Sequence, residues 1–112
     1  MDGPLDGRVQ ELLDLVPHLE VAHHVPGRIR LRVLPSGLRL VMHSNVEGVV
    51  RSIPGILRMR INAPARSIII EYNQAQLPYD LWQSVAQARH KPELAREIAI
   101  RIGGMMTAEV VP

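Results

Sequence analysis

Five histidines are the preferred candidates for transition-metal ligation in this 112-residue chain, which contains no cysteine. His18, His23 and His24 fall within seven residues, and neutral imidazole binds zinc, copper, nickel or iron well. Adjacent side chains on an extended segment point to opposite sides. A metal or haem site built on His23 and His24 therefore needs His18, or a distant group such as His43 or His90, to complete it. Neither a His-x-x-x-His helix spacing nor a nearby carboxylate cluster supports such a site, so the plainer reading of residues 18–24 is a polar connection ahead of a strand. The missing cysteine also excludes disulfides, thiolate nucleophiles and thiolate metal sites. Ser36, Ser44, Ser52, Ser67 and Ser84 sit in no nucleophile motif, no glycine-rich phosphate loop follows a strand, and the carboxylates are dispersed. The expectation is a protein that is not an enzyme and holds no cofactor, with a histidine-bound metal or haem as the alternative.

Arginine supplies the stronger pattern. From Val25 to Val33 the chain alternates, with Ile29, Leu31 and Val33 on one side of a strand and Arg28, Arg30 and Arg32 on the other. Leu57-Arg58-Met59-Arg60-Ile61 repeats the arrangement, so two strands offer guanidinium groups to the same solvent. A solvated face partly neutralised by Glu71 is the simpler interpretation. The functional one is that Arg28, Arg30, Arg32, Arg58 and Arg60 meet the carboxylates or phosphates of a partner, because guanidinium is a rigid fork of donors matched to both. RNA-binding sheets stack bases on aromatic side chains. Only Tyr72 among the strand residues offers that, so an acidic protein is preferred over nucleic acid, and Ile69 on the arginine side suits a protein contact.

Three strands and several helices must position these groups. Hydrophobic residues make up 46% of the chain and aromatics 3%, with no phenylalanine, so a single globular domain with an aliphatic core is expected. The formal charge is only +2, which makes the local clustering of arginine matter more than the total. The start is acidic and lacks a secretory pattern, and no apolar run approaches the roughly 20 residues a spanning helix needs. A cytoplasmic protein is the expectation. Val9, Leu12, Leu13 and Val16 predict a helix over 7–16, limited by Pro17, and Pro26-Gly27 predicts a turn. One amphipathic helix is expected from Leu38 to about Ser52, a hairpin over 56–72, a helix after Pro78 and another from Pro92 that stops at Gly103-Gly104. Residues 105–112 read as a short edge strand or a frayed end.

The order strand, helix, strand, strand, helix resembles a ferredoxin-like domain. His23-His24-Val25-Pro26-Gly27-Arg28-Ile29-Arg30-Leu31-Arg32, then Ser52-Ile53-Pro54-Gly55-Ile56-Leu57-Arg58, then Ser67-Ile68-Ile69-Ile70-Glu71-Tyr72-Asn73 resemble, in that order, the motifs of cysteine-less members of the heavy-metal-associated domain superfamily. The resemblance covers roughly residues 23–88. It implies an α+β, ferredoxin-like βαββα(β) sandwich, with residues 1–22 a helical extension, 23–90 the core, and 91–112 a C-terminal helix and tail. In such a sheet the first strand neighbours the third and the second lies beyond it, which sets Arg28, Arg30 and Arg32 beside Ser67, Ile69 and Glu71. It also implies an interaction or regulatory module of a metal-transport or metal-storage system, with a P-type ATPase or another metal-handling protein as partner, or a second copy of the chain. Thiolate-bearing relatives pass soft metals through the loop after the first strand. Here that loop is Leu34-Pro35-Ser36-Gly37-Leu38, so thiolate transfer is not expected.

Overall fold

The computed structural model describes residues 7–43 and 45–110. Helix α1 (Gly7–Leu15) ends in a 3-10 turn at Val16–His18 that contains Pro17, since proline removes a helix donor and crowds the preceding turn. Strand β1 (Leu19–Val25) follows, then β2 (Arg28–Val33). Residues 18–24, read from sequence as a connection, are thus largely a strand. A bulge between Val21 and His23 interrupts its pairing with β2, and that extra residue breaks the alternation by which a strand is recognised. Pro26-Gly27 is the two-residue link between these strands. Gly27 has φ +88°, the conformation that favours glycine at the third position of a type II turn after proline.

The single helix expected over 38–52 is two, α2 (Leu38–His43) and α3 (Val46–Arg51). The interruption is held from outside, because the Asn45 amide donates to Glu11 Oε1 on α1 at 3.0 Å. Strands β3 (Ile56–Asn62) and β4 (Ser67–Tyr72) form the expected hairpin. Helix α4 (Tyr79–Gln87) and helix α5 (Pro92–Val110) complete the fold. Gly103-Gly104 does not stop α5, so the described part of 105–112 is helical, while Val111 and Pro112 lie outside the described residues. Glycine costs a helix only about 1 kcal/mol relative to alanine, and no proline follows until Pro112.

The result is an α+β protein with a four-stranded antiparallel sheet in the order β1-β2-β4-β3. Ile29, Leu31, Ile68 and Ile70 form the buried side of its two central strands. Leu12 and Leu15 of α1, Val49 of α3, Leu81 and Val85 of α4 and Ile98 and Ile102 of α5 belong to the same core. The sequence boundary between 22 and 23 therefore falls inside β1, and both terminal helices share one core with the sheet.

Candidate functional site: the arginine face

Strand alternation fixes which side chains share the opposite side of the sheet. Arg28, Arg30 and Arg32 of β2 are exposed while Ile29, Leu31 and Val33 are buried. Across the sheet Arg28 pairs with Glu71, Arg30 with Ile69 and Arg32 with Ser67. On the far side of β4, Arg58 pairs with the same Glu71, Arg60 with the same Ile69 and Asn62 with the same Ser67. Five arginines thus occupy the face, and all five are exposed. On β1 the register places Glu20 beside Arg32, His23 beside Arg30 and Val25 beside Arg28.

Little of this charge is neutralised by the described residues. Glu20 Oε1 lies 3.7 Å from Arg32 Nη1, but its other oxygen accepts a 3.0 Å hydrogen bond from Arg89 Nη1. Arg28, Arg30, Arg58 and Arg60 make no ion pair with any described residue. Neighbouring strands lie about 4.8 Å apart, so Arg30 and Arg60 stand roughly 10 Å apart with the half-buried Ile69 between them. An open depression of about 430 Å³ lies there, lined by Arg30, Arg60, Asn62, Pro64, Ser67 and Ile69. The packed helices lie on the other face of the sheet, among the residues that bury Ile29, Leu31, Ile68 and Ile70. None of the described helices therefore covers the arginines.

The two candidate metal ligands are separated. His23 is exposed on the arginine side, whereas His24 is half-buried on the helix side. There its ring stacks on Tyr79 with centroids 4.0 Å apart and planes at 3°, and lies edge-on to Trp82. His24 Nε2 is 2.6 Å from the Tyr72 hydroxyl. Burial, and secondarily the neighbouring His23, lower the His24 pKa, while burial first of all raises that of Tyr72. With phenol protonated and the neutral imidazole in its Nδ1–H tautomer, the hydroxyl donates and Nε2 accepts. Tyr72, the one strand aromatic considered for base stacking, is only 3% exposed and belongs to this cluster. His18 Nδ1 is 2.8 Å from Ser36 Oγ, His90 is exposed after α4, and the His43 side chain lies outside the described residues. Among the described residues no three His, Asp or Glu side chains gather as a metal site.

Sequence reasoning missed Asn62, Pro64 and Ser67 as walls of the depression, and it missed the ring stack around His24. The depression depends on cross-strand register, and the stack on the β1 pairing hidden by the bulge. No family model, curated protein or solved structure matches this chain.

Proposed function

We propose that this chain is a non-enzymatic interaction module whose arginine face recognises an acidic protein segment. The observation that carries this reading is the set of four exposed guanidiniums, Arg28, Arg30, Arg58 and Arg60, without an ion pair among the described residues on a sheet face that the helices leave open. Guanidinium forks bind carboxylates bidentately, and Ile69 supplies an apolar floor between them. RNA is the competing anion, and the burial of Tyr72 leaves His23 as the one ring that the described strand residues offer on this face for base stacking.

The cysteine-less heavy-metal-associated, ferredoxin-like reading belongs to the same proposal. Strands β2, β4 and β3 would hold the places of that fold's first, third and second strands, and β1 would take the edge beyond the first. On this reading the partner is an acidic segment of a metal-handling protein, such as a P-type ATPase or a storage component, in the cytoplasm. The test replaces Arg30, Arg32 and Arg58 with Ser and captures partners from lysate with and without nuclease. The fold should persist, because the one ion pair removed is exposed and pairs of that kind contribute about 0–1 kcal/mol. Capture should weaken in the variant and with added salt, given a Debye length of about 8 Å at physiological ionic strength. Captured material that disappears with nuclease would make RNA the partner, and an unfolded variant would make the arginines structural.

A further inference from the structure

The hydrogen bonds around β4 determine which backbone groups of β3 are left over. Tyr72 donates its amide to Gly27 on the β2 side, and Val33 donates to Arg66 from that same side. Asn73 instead donates to Gly55 on the β3 side. Alternate residues of a central strand bond to alternate neighbours, so Ser67, Ile69 and Glu71 serve β3 through their partners Asn62, Arg60 and Arg58. The amides and carbonyls of Met59 and Ile61 consequently point away from β4, toward an edge where the described residues add no further strand. One of these groups is occupied, since Arg51 Nη2 donates to the Met59 carbonyl at 2.9 Å. No described residue bonds the backbone of Ile61.

The other edge is protected differently. Strand β1 is bulged between Val21 and His23 and carries Glu20, which is engaged with Arg32 and Arg89, and bulges and charges are the means by which edges resist pairing. At β3 the two sides of the edge differ in chemistry. Arg58 and Arg60 stand on the open face, and on the helix side a groove of about 210 Å³ runs past Ile61, walled mainly by Val33, Leu38, Val41 and the 65% exposed Met42, with Glu47 and Arg66 at its border.

We propose that an extended segment of a partner protein, alternating acidic and aliphatic residues, adds to β3 as a fifth strand. Its acidic side chains meet Arg58 and Arg60, its aliphatic ones enter the groove beside Met42, and its backbone pairs with Ile61. A strand repeats its facing every two residues, so one segment satisfies both sides only with that alternation. Backbone pairing supplies affinity and the alternating side chains supply selectivity. A second copy of this chain fits less well, because antiparallel pairing of two β3 edges brings Arg58 and Arg60 of both copies onto one face while β3 itself carries no carboxylate to meet them. The inference rests on the acidic-partner reading and adds the edge, the strand conformation and the sequence pattern of the ligand.

The test uses the whole protein and a synthetic, end-capped peptide of four Glu-Val repeats, with a scrambled peptide of four Glu followed by four Val as control. Amide hydrogen exchange is followed residue by residue. The Ile61 amide should exchange rapidly in the free protein and slow at least tenfold with the alternating peptide, and the scrambled peptide should bind at least fivefold more weakly. Ile61→Pro removes that edge donor, at a position where proline is tolerated in an edge strand, and should abolish the preference for alternation. Equal binding of the two peptides with an unprotected Ile61 amide would overturn strand addition while leaving arginine recognition intact. Binding of neither peptide at low salt would overturn both, and a dimer protected at Ile61 without peptide would make a second copy the occupant. Since Ile61→Pro can unfold the chain, the exchange comparison on the unaltered protein decides by itself.

Discussion

Replacing Ile98 with Ala should destabilise the protein by about 3–4 kcal/mol, and replacing Ile100 on the same helix should cost at most about 0.5 kcal/mol. Ile98 is 2% exposed and Ile100 52%. Ile98 also borders an apolar cavity of about 50 Å³ that it shares with Leu12, Leu15 and Ile70. Removing three carbons forfeits about 2.4 kcal/mol of transfer free energy at about 0.8 kcal/mol each. If about 40 Å³ of the vacated space stays open, a cavity term of about 24 cal/mol per Å³ adds about 1 kcal/mol. Small domains have only about 5–15 kcal/mol in total, so the loss is a large share. Urea unfolding is the assay. With an m-value of about 1.5 kcal/mol/M, the Ile98→Ala midpoint should fall by about 2 M, while that of Ile100→Ala should hardly move. Equal effects of the two substitutions would refute the docking of α5 on α1 and α4. An unchanged melting temperature and solution mass after truncation at Lys91 would do the same.

The His24 imidazole has its pKa lowered from 6.5 by burial first and by His23 second, so below that value the unfolded chain binds the proton more readily than the folded one. Stability should be full above about pH 6.5 and fall as pH drops below it. His24→Gln should flatten this part of the pH–Tm curve, and identical curves would contradict the assignment. Gly55→Ala should destabilise by more than 1 kcal/mol in thermal melts, because Gly55 has φ +97° and an added Cβ would sit 2.9 Å from Gln76 Cβ; a neutral effect would refute the geometry of that turn. Titration with Cu(I) or Zn against a competing chelator should show no tight stoichiometric binding, because the chain has no cysteine and, among the described residues, no three His, Asp or Glu side chains gather. Tight binding lost in a His23→Ala, His24→Ala double variant would restore the imidazole site.

Alternation was the clearest signal in the chain. It separates Arg28, Arg30 and Arg32 from Ile29, Leu31 and Val33, and the structure buries the second set while exposing the first. Three consecutive isoleucines mark β4, whose central residues have sheet on both sides. Local patterns failed where a distant contact decides. Strand β1 holds its place through pairing with β2 although its bulge and two histidines conceal the period. The break between α2 and α3 is set partly by Glu11, 34 residues away in sequence from Asn45. Helix α5 runs through two glycines because α1 and α4 pack beside it, and tertiary packing overrides weak propensity. The arginines of the site were legible one strand at a time, but the depression between Arg30 and Arg60 and the open backbone of Ile61 exist only once register is set.

The central claim is that the arginine face recognises an acidic protein segment in preference to nucleic acid. Fluorescence anisotropy of the labelled Glu-Val peptide, competed by an oligoribonucleotide of matched charge over a range of salt, tests it most directly. The account predicts peptide binding that weakens with salt, falls at least tenfold in the R30S/R58S/R60S variant, and is not displaced by equimolar oligonucleotide. Tighter binding of the oligonucleotide, or peptide binding unaffected by the three substitutions, would contradict it.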